Sequence, residues 1–150
     1  MEVDVGAGLV EAAQAVLRPR RVADRLMGDV AAALLTRDGQ RFLGVSIDTG
    51  SGPGVCAEHS AVAAMVTAGE YRIGAIVAVW RDERGSLYVL PPCGRCREFI
   101  RQVDPGNLDT RVVLAEGRTT LLRDLLPEHD WPEPEPMGAL PESPRRHVEP

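Results

Sequence analysis

Apolar residues run along this chain in short blocks broken by Gly, Pro and Asp, and the period of each block predicts its element. Gly8 to Leu17 has helical spacing and stops before Pro19, which predicts an opening amphipathic helix. Val30 to Thr36 (VAAALLT) and Arg41 to Ile47 (RFLGVSI) flank Asp38-Gly39, a dipeptide suited to a hairpin turn. A Gly-rich loop, DTGSGPGV, then delivers the chain to Cys56. Cys56 to Ala68 is small and helix-tolerant, with Gly69 as its stop. It is apolar almost all round, so the predicted helix is buried on several sides, in the core or at a subunit interface. Ile73 to Trp80 (IGAIVAVW) is a continuous apolar run of strand length, as an interior strand requires. RDERG turns the chain, Ser86 to Leu90 makes another strand, and PP breaks it. Cys93 to Val103 begins a helix, DPGNLD turns, Thr110 to Ala115 is a strand, and Thr119 to Leu126 is a short helix. The alternation predicts an α/β sandwich with a mixed sheet.

Composition narrows the class. The 150 residues fit one domain, and 44% hydrophobic content with 4% aromatic content makes its core aliphatic. From Pro127 onward the chain holds seven of its 12 prolines and little to bury, so residues 1–126 form the domain and 127–150 a Pro-rich acidic tail. Net charge is −5 and all positive charge comes from arginine; an acidic chain without a clustered basic face argues against gripping nucleic acid. No run is long and apolar enough to span a membrane, and the N-terminus is acidic where a signal peptide is basic, so a cytoplasmic protein is expected. There, three cysteines point to catalysis or metal binding rather than disulfides.

All three cysteines fall in two short stretches, GPGVCAEHSAVAAM and PPCGRCREF. Cys93 and Cys96, three apart at a helix start, share one helical face, and a helix N-terminus favours thiolate. This suits a soft divalent metal, zinc above all, and Cys56 completes a three-sulfur set. Three protein ligands leave a fourth place for water, as catalytic zinc needs. Glu58 is then placed to take a proton from that water and hand it on. A rival set adds His59: Cys56, His59, Cys93 and Cys96 would make a closed structural zinc module, with Glu58 an ordinary acid. A third reading leaves the cysteines as metal-free buried thiols.

CAE followed by PCGRCRE resembles the cytidine deaminase superfamily, closest to the branch of small homotetrameric cytidine deaminases and blasticidin-S deaminases. The likeness runs from Val30 to Trp131; AALLTRDGQRFLGVSID resembles the family's first hairpin and LLRDLLPEHDW its closing element. It implies a three-layer αβα fold with a roughly five-stranded mixed sheet, one Zn2+ per subunit on Cys56, Cys93 and Cys96, and Glu58 as proton shuttle. It also implies hydrolysis at C4 of a cytosine-type ring, with Glu58 protonating N3 and ammonia leaving. Ala57 would meet the base edge through its backbone. Arg95 would offset the negative charge of three thiolates, since the residue after the glutamate, usually arginine in this branch, is His59. Asn-x-Glu, which holds the sugar in the family, is Ser46-Ile47-Asp48 here; these two side chains are either a shortened sugar clamp or a strand-end Ser and a turn Asp. The family's aromatic before the first strand is replaced near Gly28, and Trp131 is either an aromatic wall or a tail anchor. The implied substrate is a cytosine-containing nucleoside, then a blasticidin-type modified nucleoside, with single-stranded nucleic acid disfavoured. Family habit and the apolar Ala61 to Ala68 segment together imply a homo-oligomer, a tetramer.

Overall fold

Two faces of one sheet account for most of the apolar pattern. The computed structural model describes residues 5–130. Helix α1 (Val5–Val16) leads into two three-residue strands, β1 (Arg20–Val22) and β2 (Arg25–Met27), which among the described residues pair only with each other. The hairpin follows as β3 (Val30–Thr36) and β4 (Arg41–Val45), turning at Gly39 with φ +88. Next come α2 (Ala57–Thr67), β5 (Ile73–Arg81), β6 (Leu87–Leu90) and α3 (Gly94–Val103). A 3-10 turn (Pro105–Asp109), β7 (Arg111–Ala115), β8 (Arg118–Leu121) and α4 (Leu122–Leu125) complete the described chain.

The main sheet has six strands rather than about five, in the order β4-β3-β5-β7-β8, with β6 also on β5. The far edge of β5 is shared. Its Ala75–Ile76 part pairs parallel with β7, and its Ala78–Arg81 part pairs antiparallel with β6, so the sheet is mixed. The added strand is β8: Thr119 and Thr120, expected to start a helix, lie opposite Val113 and Val112, and only a single helical turn follows.

Alternation along each interior strand divides the core. Ala32, Leu34, Ile76, Ala78 and Val112 face α2 and α3, meeting Ala61, Val62, Met65 and Ile100. Ala31, Ala33, Ala75, Val77 and Val113 face α1, meeting Leu9, Ala13 and Leu17. This is the expected three-layer αβα sandwich. The run of alanines on β3 lets helices approach the sheet closely on both sides. Gly44 on β4 takes this furthest: a Cβ there would stand 2.2 Å from Ala61 N and 2.6 Å from Ala57 O, so its bare backbone seats the first turns of α2. The α2 helix buries Ala57, Glu58, His59, Ala61, Val62 and Met65, while Ala63, Ala64, Val66 and Thr67 remain exposed.

Candidate metal centre

Each of the two cysteine stretches ends in a helix cap. Ile47 and Val55 form an isolated antiparallel bridge, with N–H···O bonds of 3.0 and 3.1 Å, which closes the Gly-rich loop and aims the chain at Cys56. Cys56 is the N-cap of α2, in extended conformation. On the other side, β6 ends at Pro91-Pro92 and Cys93 is the N-cap of α3, its sulfur accepting from Cys96 N at 3.5 Å. Arg97 fastens that approach by donating Nε to Pro92 O at 2.8 Å and Nη1 to Leu125 O at 3.0 Å.

The two caps bring the sulfurs together. Cys56 Sγ lies 3.7 Å from Cys93 Sγ, and Cys93 Sγ lies 3.4 Å from Cys96 Sγ. Cys56 Sγ, Cys96 Sγ and a ring nitrogen of His59 all lie within 4.8 Å of one another. Zinc–sulfur bonds of about 2.3 Å at tetrahedral angles put sulfurs about 3.7 Å apart and a sulfur and imidazole nitrogen about 3.5 Å apart. The donor set therefore fits zinc in both spacing and chemistry.

Charge makes the same point. Burial works to raise the Cys93 thiol, but the Cys96 N–H and the neighbouring sulfurs outweigh it and lower it from its ordinary value. Burial and the Cys93 sulfur raise Cys56. Burial, then the Glu58 carboxylate, push Cys96 far up. Three sulfurs and a carboxylate this close ionise together only around a cation. Glu58 is 5% exposed, with its carboxyl against the Cys96 sulfur, and burial raises it above the usual carboxylate range.

The remaining expected residues are distributed as follows. Ala57 is fully buried at the first position of α2. Ser46 Oγ accepts from Val30 N at 3.1 Å and donates to Asp29 Oδ1 at 2.8 Å. Asp48 is exposed and its Oδ1 accepts from Gly50 N at 2.8 Å, a local turn bond. Arg95 turns Nη1 to Gly54 O at 3.0 Å rather than to a sulfur. The group that reaches Cys96 is His59, whose Nδ1 lies 3.5 Å from Sγ. Gly28 is buried with φ +69. Trp131 and most of the tail lie outside the described residues.

A cavity of about 380 Å³ opens onto the cluster, lined by Asp29, Ser46, Asp48, Cys56, Glu58 and Cys93 among others. A larger hollow of about 1030 Å³ lies on the opposite face of the sheet, between α1 and the β7–β8 edge, away from the sulfurs. Its size is not matched by chemistry, and the smaller cavity is the candidate site. Asp29 is in that wall although MGDV carries no spacing that marks it; its bond from Ser46 holds it there.

The chain matches the family model of the cytidine and deoxycytidylate deaminase zinc-binding region over residues 7–113. It is 36% identical over 100 residues to a cytidine deaminase of Mycobacterium tuberculosis, covering 66% of this chain and 70% of that protein. It is 37% identical over 70 residues to a cytidine deaminase of Mycoplasma genitalium, covering 46% of this chain and 52% of the relative, so the match spans about half that protein's length. The crystal structure of cytidine deaminase from Mycobacterium tuberculosis superposes with a TM-score of 0.65 at 32% identity, covering 85% of this chain and 97% of that one.

Proposed function

This chain belongs to the cytidine and deoxycytidylate deaminase family, and from that premise we propose that it is a zinc-dependent hydrolytic deaminase of a cytosine-containing nucleoside. The observation that carries the reading is Glu58, buried at the floor of a ligand-sized cavity and flanked by the sulfurs of Cys56, Cys93 and Cys96.

Cys56, Cys93 and Cys96 would hold the metal; when bound, zinc would supply a Lewis acid that makes water a competent nucleophile at neutral pH. The chain's own residues do the rest. Glu58 carries the protons: it takes one from the attacking water and gives it to N3 of the ring, then takes the proton left on the new C4 hydroxyl and gives it to the exocyclic amine as the C4–N bond breaks and ammonia leaves. Burial raises its pKa above the usual carboxylate range, the direction that favours a group which must give a proton as well as take one. Ala57 meets the base edge through its backbone, and Ser46 and Asp48, both on the cavity wall, serve the sugar. Arg95 contributes positive charge at one remove, since its field lowers the pKa of His59 beside Cys96, second to burial.

The exposed small apolar face of α2 supports a homo-oligomer, and the family's habit supports a tetramer. Among the described residues no helix is long and apolar enough to cross a membrane. Three free cysteines gathered for a metal suit a reducing cytoplasm.

One observation favours a second reading. His59 Nδ1 lies 3.5 Å from Cys96 Sγ, and a ring nitrogen of His59 groups with Cys56 and Cys96 within 4.8 Å; as a fourth ligand it would close the metal site and make it structural. Ammonia release from cytidine, deoxycytidine and blasticidin S by the purified zinc-loaded protein decides between the two. Turnover that disappears in Glu58→Gln supports the deaminase. No turnover of any substrate, together with loss of zinc in His59→Ala, supports the closed module.

A further inference from the structure

The wall of the cavity holds a carboxylate that no motif singled out. Asp29 sits in the two-residue link between β2 and β3, behind Gly28, whose φ of +69 folds the link back onto β4. Gly28 N donates to Ser46 O at 3.0 Å and Ser46 N donates to Val30 O at 2.9 Å, so link and strand end are locked together. The Ser46 hydroxyl then accepts from Val30 N at 3.1 Å and donates to Asp29 Oδ1 at 2.8 Å. A hydroxyl has one proton to give, and Ser46 gives it to Asp29. Asp29 Oδ1 is thereby tethered, while its other oxygen has no hydrogen bond among the described residues. Asp29 is partly exposed and lines the same cavity as Cys56, Glu58 and Cys93.

We propose that Asp29 is the substrate-binding carboxylate of this site, accepting the sugar hydroxyls of a nucleoside, and that Ser46 is the positioning residue that aims it. The proposal rests on the deaminase reading above and names the group that reads the sugar. A carboxylate is a stronger acceptor for a hydroxyl than a neutral oxygen, and one held by Ser46 and the backbone loses little freedom on binding. Among the described residues lining the cavity there is no arginine, whereas three carboxylates, Asp29, Asp48 and Glu58, face it. Such a wall accepts hydroxyls and opposes a phosphate, so the substrate class is the uncharged nucleoside rather than its 5′-phosphate.

The test is calorimetric titration of zinc-loaded Glu58→Gln protein, which holds ligand without turning it over. The ligands are cytidine, 2′,3′-dideoxycytidine and cytidine 5′-phosphate. Cytidine is expected to bind about tenfold or more tightly than either of the others. Adding Asp29→Ala is expected to remove that advantage over dideoxycytidine while leaving dideoxycytidine binding unchanged. Asp29→Asn, which keeps the shape and the bond from Ser46, should lose part of it and narrow the gap to the 5′-phosphate. Ser46→Ala should fall between the parent and Asp29→Ala. Equal binding of cytidine and dideoxycytidine by the parent, or undiminished cytidine binding in both Asp29 variants, overturns the role of Asp29 alone. Failure of all three ligands to bind overturns the deaminase reading, and this proposal with it.

Discussion

His59 Nδ1 stands 3.5 Å from Cys96 Sγ while its ring lies stacked on Phe99, centroids 4.1 Å apart and planes 9° apart. The stack fixes the ring plane, so the nitrogen has little choice of direction. Burial, then the charge of Arg95, lower the imidazole's pKa and favour its neutral form. A neutral ring with its proton on Nδ1 donates to the sulfur; without that proton it can bind metal.

His59→Ala separates these roles. As a donor to a ligand sulfur, His59 is expected to be worth about 10–100-fold in zinc affinity, with one zinc per chain still bound at saturating metal. Competition with a chromophoric chelator measures this. Failure of His59→Ala to bind zinc at any concentration would make His59 a ligand.

Glu58→Gln is expected to lower kcat by about 10²–10⁴-fold with zinc content unchanged. The same change has an opposite effect on stability. Burial raises the Glu58 pKa in the folded protein, so the folded state binds more protons than the unfolded state, and this group's contribution falls as pH rises above the unfolded carboxyl value of about 4.3. In zinc-free protein at pH about 7, Glu58→Gln is therefore expected to raise Tm, and the gain should fade below that carboxyl range. Thermal unfolding across pH after chelation checks it; a Tm lowered at neutral pH refutes it.

Gly44→Ala is expected to destabilise by about 3 kcal/mol or more, because the added methyl meets backbone of α2 and no rotamer change relieves the clash. Urea denaturation measures the loss. Since α2 starts at the Cys56 cap, weaker zinc binding should accompany it.

Asn107 is fully buried below the sheet end. Its Oδ1 accepts from Ile73 N at 2.8 Å, and its Nδ2 donates to Tyr71 O at 3.0 Å and Ile100 O at 3.1 Å. Asn107→Ala leaves those three groups without their partner and is expected to cost about 3 kcal/mol in urea unfolding. Asn107→Asp should be worse at neutral pH than in acid, because an ionised carboxylate has no proton to offer two carbonyls.

The chemistry was more legible in the sequence than the surroundings of the substrate. Length and punctuation marked β3, β4, β5 and α2 within a few residues: β5 is a continuous apolar run between turns, and α2 is a run of small helix-tolerant residues between Cys56 and Gly69. The hairpin of β1 and β2 left no such trace: β1 is wholly exposed and among the described residues pairs only with β2, so no alternation was imposed on it. Of the expected Thr119–Leu126 helix only Leu122–Leu125 is helical; Thr119 and Thr120 take their strand conformation from β7, a partner local pattern does not show. The cysteines and Glu58 lie within single short stretches, where spacing carries the signal. Asp29 is legible only through its contact with Ser46, 17 positions away; the C-x-x-H spacing marked His59 as a candidate ligand, but not its stack on Phe99.

Cys56 and Cys93 each cap a helix, and they are 37 residues apart in the chain. An ion gripping both ties the leading turns of α2 and α3 into one mechanical unit. Such turns are where helices fray most readily, since their first amides have no partner within the helix. Occupancy should therefore be written in amide exchange: slowed protons in the opening turns of α2 and α3, and little change at the centre of β3 and β5, where the sheet already sets the rate. A spectroscopist could read whether the molecule is loaded without offering it any nucleoside.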